Sequence, residues 1–177
     1  DDIIIATNGV QTPIRWGGTG TATFLRAMVS ATGTTIVFNI LLHNKERVYG
    51  VGVVDTGDAD ASVRVYRTGF GPDGLADPHR FLENFYVGGA SKDGPIRNAA
   101  FLDDNLVIYK RNAIWKFIPG GAGGGEVLLV KDDIGLFTRR SLVNTGDFHI
   151  FLSEQGFMAF DGNRVVPIGE KIDKAVL

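Results

Sequence analysis

Apolar residues fall in short clusters rich in Val, Ile, Phe and Tyr, each bounded by Gly, Asp or Asn. A helix would bring apolar positions back every three to four residues over several turns, and that spacing is almost absent. Short β-branched and aromatic runs between turn formers are instead the signature of strands. The pattern predicts strands over residues 2–7, 13–16, 23–28, 35–42, 47–54, 62–68, 81–87, 96–102, 106–110, 113–118, 127–131, 141–144, 148–153, 157–160 and 164–167. Asn8-Gly9, Asp103-Asp104-Asn105, Gly146-Asp147 and Asp161-Gly162 supply the left-handed backbone or Asx turns that must join them. Only 171–177 has the makings of a helix, so the predicted class is all-β.

The predicted strands also repeat in groups. Residues 36–42, a polar turn at 43–46 and residues 47–53 form one hairpin. A second group is 98–102, a turn at Asp103-Asp104, then 105–109 and 113–117; a third is 141–144, a turn at 145–147, then 148–151 and 156–160. Hairpins recur about every 40 to 60 residues, close to the kelch and WD40 blade periods, and four strands fit each period. A lone four-stranded sheet cannot bury both faces, so such units stack around an axis. The expectation is a β-propeller of four-stranded antiparallel blades. Residues 1–177 would cover about three and a half blades of a single propeller domain. A β-sandwich is the alternative that explains the same strand count.

Composition narrows the function. Gly, at 24 of 177 residues, is about twice its usual share, in keeping with many tight turns. Cys is absent, which excludes disulfides, thiolate metal sites and a Cys nucleophile. A net charge of -2 argues against electrostatic wrapping of nucleic acid, and no apolar run approaches a bilayer span. Asp1-Asp2-Ile3-Ile4-Ile5 and the apolar Ala175-Val176-Leu177 place sticky residues at the two ends of the sequence. That arrangement is expected of an internal stretch of a longer polypeptide.

Several clusters resemble chemistry without its context. Gly69-Phe70-Gly71-Pro72-Asp73-Gly74 fits G-x-G-x-x-G, but Pro72 and Asp73 make a turn where a dinucleotide site needs a helix. Gly120-Gly121-Ala122-Gly123-Gly124-Gly125 lacks the Lys-Ser or Lys-Thr of a P-loop and reads as a linker. Asp55, Asp58 and Asp60 could offer oxygens to calcium, yet the loop lacks the Gly and terminal Glu of an EF-hand and reads as a solvated turn. His43 (in a hairpin turn), His79 (in a loop) and His149 (on a strand) share no metal-ligand spacing. Asp103-Asp104 and Asp132-Asp133 read as turn caps rather than a glycosidase pair. Ser153-Glu154-Gln155-Gly156 only loosely resembles an Asp-box turn, and Ser153 is not in a nucleophile elbow. Lys45 with Arg47, Lys110-Arg111 and Arg139-Arg140 are small basic clusters, with Lys110-Arg111 expected to be solvated at a hairpin turn. Trp16 and Trp115 are expected in the core. No catalytic residue, cofactor site or metal site is assigned, and the chain is not expected to be an enzyme.

The order of the repeats carries a resemblance. Ile5-Ala6-Thr7-Asn8-Gly9-Val10-Gln11-Thr12-Pro13-Ile14-Arg15-Trp16-Gly17-Gly18 resembles the opening of a group of tailed-bacteriophage virion structural proteins. His43-Asn44-Lys45-Glu46-Arg47-Val48-Tyr49-Gly50 is similar to the hairpin that follows in that group. Leu106-Val107-Ile108-Tyr109-Lys110 with Ile114-Trp115-Lys116-Phe117 is similar to a later blade, and the run from Phe151 to Gly162, with Ile168-Gly169 and Ile172, to the last. The resemblance implies a noncatalytic propeller of the tail nozzle or hub, or of the head-to-tail connector, located in the virion. It implies copies of the chain in a ring, six-fold in such assemblies, beside neighbouring tail or connector proteins and around DNA that slides through without specific binding. The alternative is a carbohydrate-binding or glycan-cleaving propeller acting on a host surface.

Overall fold

The computed structural model of the chain describes residues 4–24, 36–45, 47–55, 57–69, 83–120 and 124–169. They form four antiparallel sheets, and each runs as a meander in which every strand pairs with its sequence neighbour. The first sheet is β1 (Ile4–Ala6), β2 (Ile14–Trp16) and β3 (Thr23–Phe24). The second is β4 (Val37–Asn44), β5 (Arg47–Val54), β6 (Arg64–Arg67) and β7 (Glu83–Tyr86). The third is β8 (Asn98–Leu102), β9 (Asn105–Tyr109), β10 (Ile114–Pro119) and β11 (Gly125–Lys131). The fourth is β12 (Val143–Asn144), β13 (His149–Ser153), β14 (Gly156–Phe160) and β15 (Val165–Pro167).

Each of these strands answers to a strand predicted from the pattern, with the ends displaced by a few residues. The turns also form as their residues dictate. Gly9, Asp103, Gly146 and Gly162 all have positive φ, and Asn8 Oδ1 and Asp161 Oδ1 each accept two backbone N–H groups beyond them. The expectation that a helix forms nowhere but in 171–177 needs correction. Residues 171–177 lie outside the described residues, whereas a single turn, α1 (Ala90–Asp93), forms where none was expected. Gly94, at φ 73°, closes it by donating its N–H to Ala90 O at 3.1 Å. Four residues are too few to leave a helical period in a sequence.

The chain divides into two compact units, Asp1–Val87 and Gly88–Leu177. In the first, the second sheet is built on β5, where every residue from Val48 to Val53 is buried. Ile36, Phe38, Val48, Val53, Ala61 and Tyr66 make its core, with Ile5 of the first sheet and Leu41 packed against it. Phe38 lies so close over β5 that a Cβ at Gly50 would sit 2.6 Å from its ring, so only glycine fits there. Thr7 Oγ1, just beyond β1, donates to Phe38 O at 2.6 Å and ties the first sheet to the second.

In the second unit the third and fourth sheets share one core. Leu102, Val107, Tyr109 and Ile114 of the third meet Phe151, Met158 and Phe160 of the fourth, with Leu136 from the connecting segment. Leu106 and Ile108, whose side chains point to the opposite face of β9, are also fully buried. The strand is thus covered on both faces and reads as a continuous apolar run. The fourth sheet differs: β13 and β14 alternate between buried and half-buried positions, as a sheet covered on one face does. The first strands of the two sheets lie side by side, and Asn144 Nδ2 of β12 donates to Phe101 O of β8 at 2.7 Å.

Candidate functional site

Chemistry requires polar groups held at a cavity or surface, so the buried polar side chains are the first candidates. His149 of β13 is fully buried, with Nδ1 at 2.9 Å from the Tyr109 hydroxyl and Nε2 at 3.2 Å from Phe101 O. A carbonyl only accepts, so Nε2 carries the proton; the neutral ring then accepts from Tyr109 at Nδ1. Burial lowers the His149 pKa below its usual value, outweighing the opposing effect of the Phe101 carbonyl. Burial likewise raises that of Tyr109. The pair therefore clamps the third sheet to the fourth, and both rings are enclosed in protein: Tyr109 also packs on Phe151 with ring centroids 5.1 Å apart.

Lys110 corrects an expectation. It is not solvated at a turn but fully buried, its amine donating to Gly89 O at 3.1 Å. Desolvation lowers its pKa, partly offset by the nearby charge of Asp93, itself buried at the end of α1. Its backbone is held on both sides: Lys110 N–H donates to Ala113 O, and Lys110 O accepts from Leu136 N–H. Arg111 alone of that dipeptide is exposed, paired with Glu154 at 2.7 Å.

The remaining clusters resolve similarly. Asp55 is buried rather than solvated, and its Oδ1 accepts from Gly57 N–H; Asp58 pairs with Arg64 at 2.8 Å, while Asp60 is exposed. Arg64 also donates to the Tyr66 hydroxyl and lies over the Tyr86 ring, so the acidic loop is tied to β6 and β7. His43 extends β4 instead of turning, with the left-handed residue at Lys45. Asp103 and Asp104 form an exposed two-residue turn; Asp132 and Asp133 are exposed, and Asp133 pairs with Lys131. Ser153 Oγ donates to Gly156 O and accepts from Gln155 N–H, which commits it to a turn. Glu83 of β7 bridges Arg47 of β5 at 2.9 Å and buried Arg67 of β6 at 2.5 Å, a link across three strands that the spacing did not reveal. Arg139 and Arg140 stand exposed in a 3-10 turn, Arg139–Ser141. His79, Phe70 to Gly74 and Gly121 to Gly123 lie outside the described residues.

No three His, Asp or Glu side chains converge as a metal site among the described residues, and no described helix is long and apolar enough to cross a membrane. Described residues of the first unit line two grooves. One, about 330 Å³, is lined by Ile4, Ile5, Leu41, Leu42, His43 and Val48; the other, about 150 Å³, by Ala6, Thr7, Asn8, Gln11, Thr12 and Ile14. Neither lining includes a carboxylate.

Among the described residues, two sheet faces turn apolar rows outward. Cross-strand partners share a face, so the register of the fourth sheet aligns Val143, Ile150, Ala159 and Val166 in one row. Leu152 and Phe157 form the next, extended by Phe137 and Ile168 through backbone bonds to Leu152 O and Phe157 O. Both rows are wholly apolar. In the first sheet Ile4 pairs with Trp16 and Ala6 with Ile14, so these four share the face opposite Ile5. Trp16 is therefore not a core residue as expected: it is 38% exposed, its indole N–H donating to Gly20 O. Trp115 is half-buried and packs so close over Gly88, itself at φ 58°, that a Cβ there would lie 2.6 Å from its ring. No protein-family model and no curated protein matches the chain.

Proposed function

We propose that the chain is a stretch of β-propeller serving as a noncatalytic structural component of a tailed-phage virion, in the tail nozzle or hub or in the head-to-tail connector. The observation that carries the reading is the organisation into successive antiparallel meanders, in the order that the phage-like motifs follow. A propeller brings the first strands of adjacent blades together at its axis, and the adjacency of β8 and β12 supports that geometry over a two-layer sandwich. Buried and half-buried polar groups that could have served chemistry are engaged in bonds between strands and sheets: buried His149 with Tyr109, buried Lys110 with Gly89, and half-buried Glu83 with two arginines. Such bonds stiffen a scaffold.

In this role copies of the chain form a ring, contact neighbouring tail or connector proteins, and surround DNA that passes without specific binding. The net charge of -2 is compatible with a conduit that holds few phosphate contacts. Quantitative mass spectrometry of purified virions tests the role. The protein is expected at a fixed, ring-sized copy number, in particles from which salt washes do not remove it. Its absence from intact particles would refute the assignment.

A further inference from the structure

We infer that Arg97, Arg111 and Arg139 of the second unit form a site for a phosphate group carrying two negative charges, either free or as the monoester of a small molecule. Three separate segments supply them: the approach to β8, the β9–β10 turn and the 3-10 turn before β12. The segment that leads from the third sheet to the fourth draws them together. Gly135 passes so near the β9–β10 turn that a Cβ on it would lie 2.5 Å from Arg111 O, and the next residue, Leu136, donates its N–H to Lys110 O at 2.8 Å. Phe137 O accepts from the Arg97 guanidinium, and Arg139 O accepts from Asn98 Nδ2 at 2.7 Å. Like charges are thereby held at one end of these sheets against their mutual repulsion. Burial, and next the charges of Arg111 and Arg139, lower the Arg97 pKa from its usual value, while Glu154 alone among the neighbouring charges raises it.

The charge left over defines the ligand. Glu154 pairs with Arg111 at 2.7 Å and neutralises one guanidinium, while Arg97 engages a neutral carbonyl. Two of the three positive charges therefore remain uncompensated within the cluster. A phosphate monoester carries a charge of about −1.5 to −2 at pH 7 and three acceptor oxygens. Those oxygens point in different directions and can meet guanidinium forks that arrive from separate segments. A carboxylate offers two coplanar oxygens, which a single fork occupies. A phosphodiester carries one charge, so the site favours a terminal phosphate over a nucleic-acid backbone, in keeping with DNA that passes without specific binding. Glu154 is then an internal competitor, which the ligand displaces from Arg111.

Amide NMR spectra of the full 177-residue chain, recorded as inorganic phosphate replaces chloride at constant ionic strength, test the site. Saturable shifts are expected at residues 97, 111 and 137–139. Arg139→Gln is expected to weaken phosphate binding at least about tenfold. Glu154→Gln removes the competitor and is expected to tighten binding several-fold, a gain that a purely structural role for Glu154 would not produce. Both positions are exposed, and the same spectra show that each variant keeps its fold. Glycerol phosphate separates the sources: binding tighter than that of inorganic phosphate assigns the site to an ester, equal or weaker binding assigns it to the free ion, and both support a phosphate site. Tighter saturation of the same residues by a dinucleotide whose only phosphate is a diester, or by a glutamate-rich peptide, would overturn the ligand class. Shifts that are absent, that never saturate or that survive Arg139→Gln, or a Glu154→Gln variant that binds no tighter, would overturn the site. Virion composition decides the scaffold reading independently, so the two can fail separately.

Discussion

At the scale of single residues, the polar groups inside the second unit behave as fasteners. Tyr109 and His149 are forty positions apart, and nothing in the spacing foretold their hydrogen bond. Replacing Tyr109 with Phe keeps the ring and removes the donor, leaving His149 Nδ1 buried without it. That change is expected to cost about 1–3 kcal/mol in equilibrium unfolding. The same site sets a pH dependence. Because the folded pKa of His149 lies below its usual 6.5, the unfolded chain takes up the proton first. The stability contributed by the neutral ring is fully present above about pH 6.5 and is lost as the pH falls from there through the lower folded value. Unfolding midpoints measured between pH 7.5 and 5 should drop for the native chain and flatten in that window for His149→Gln. An equal slope in both proteins would show that other groups govern it. Lys110 teaches a related point: lysine belongs on surfaces by habit, and the Gly89 carbonyl that holds its amine inside lies 21 residues away in the sequence.

At the scale of elements, strands and turns were legible because each is specified locally. A β-branched cluster between Asn-Gly or Asp-Gly turns is sufficient, and residues 47–54, predicted from pattern, coincide with β5 (Arg47–Val54). What escaped was set by distant partners or by brevity: α1, the exposure of Trp16, and the Arg47–Glu83–Arg67 link. Two predictions belong here. Gly50→Ala places a methyl against the Phe38 ring, and the overpacking is expected to destabilise the first unit by about 1–3 kcal/mol in chemical denaturation. Glu83→Gln leaves two guanidinium groups facing a neutral amide. Breaking a buried pair costs about 3–5 kcal/mol, and partial exposure of Glu83 reduces the expected loss to about 2–3 kcal/mol. Restoring charge with Glu83→Asp should recover part of it, whereas an unchanged midpoint for Glu83→Gln would mean that the link contributes no stability.

At the scale of the whole molecule, the account joins three features. Strands follow one another in meanders, buried polar groups bind sheet to sheet, and wholly apolar faces look outward from the first and fourth sheets. The recurrence of hairpins made the sheet organisation readable, whereas the outward faces emerged only from register and exposure. All three suit a component that is built into an assembly and works through stiffness. The measurement that tests this most directly is a cryo-electron microscopy reconstruction of the native phage particle with this chain traced in it. The account predicts propeller blades in a ring of copies about the DNA channel, with β4, β8 and β12 as the strands nearest each propeller's own axis. A two-layer sandwich, or a particle that lacks the chain, would contradict it.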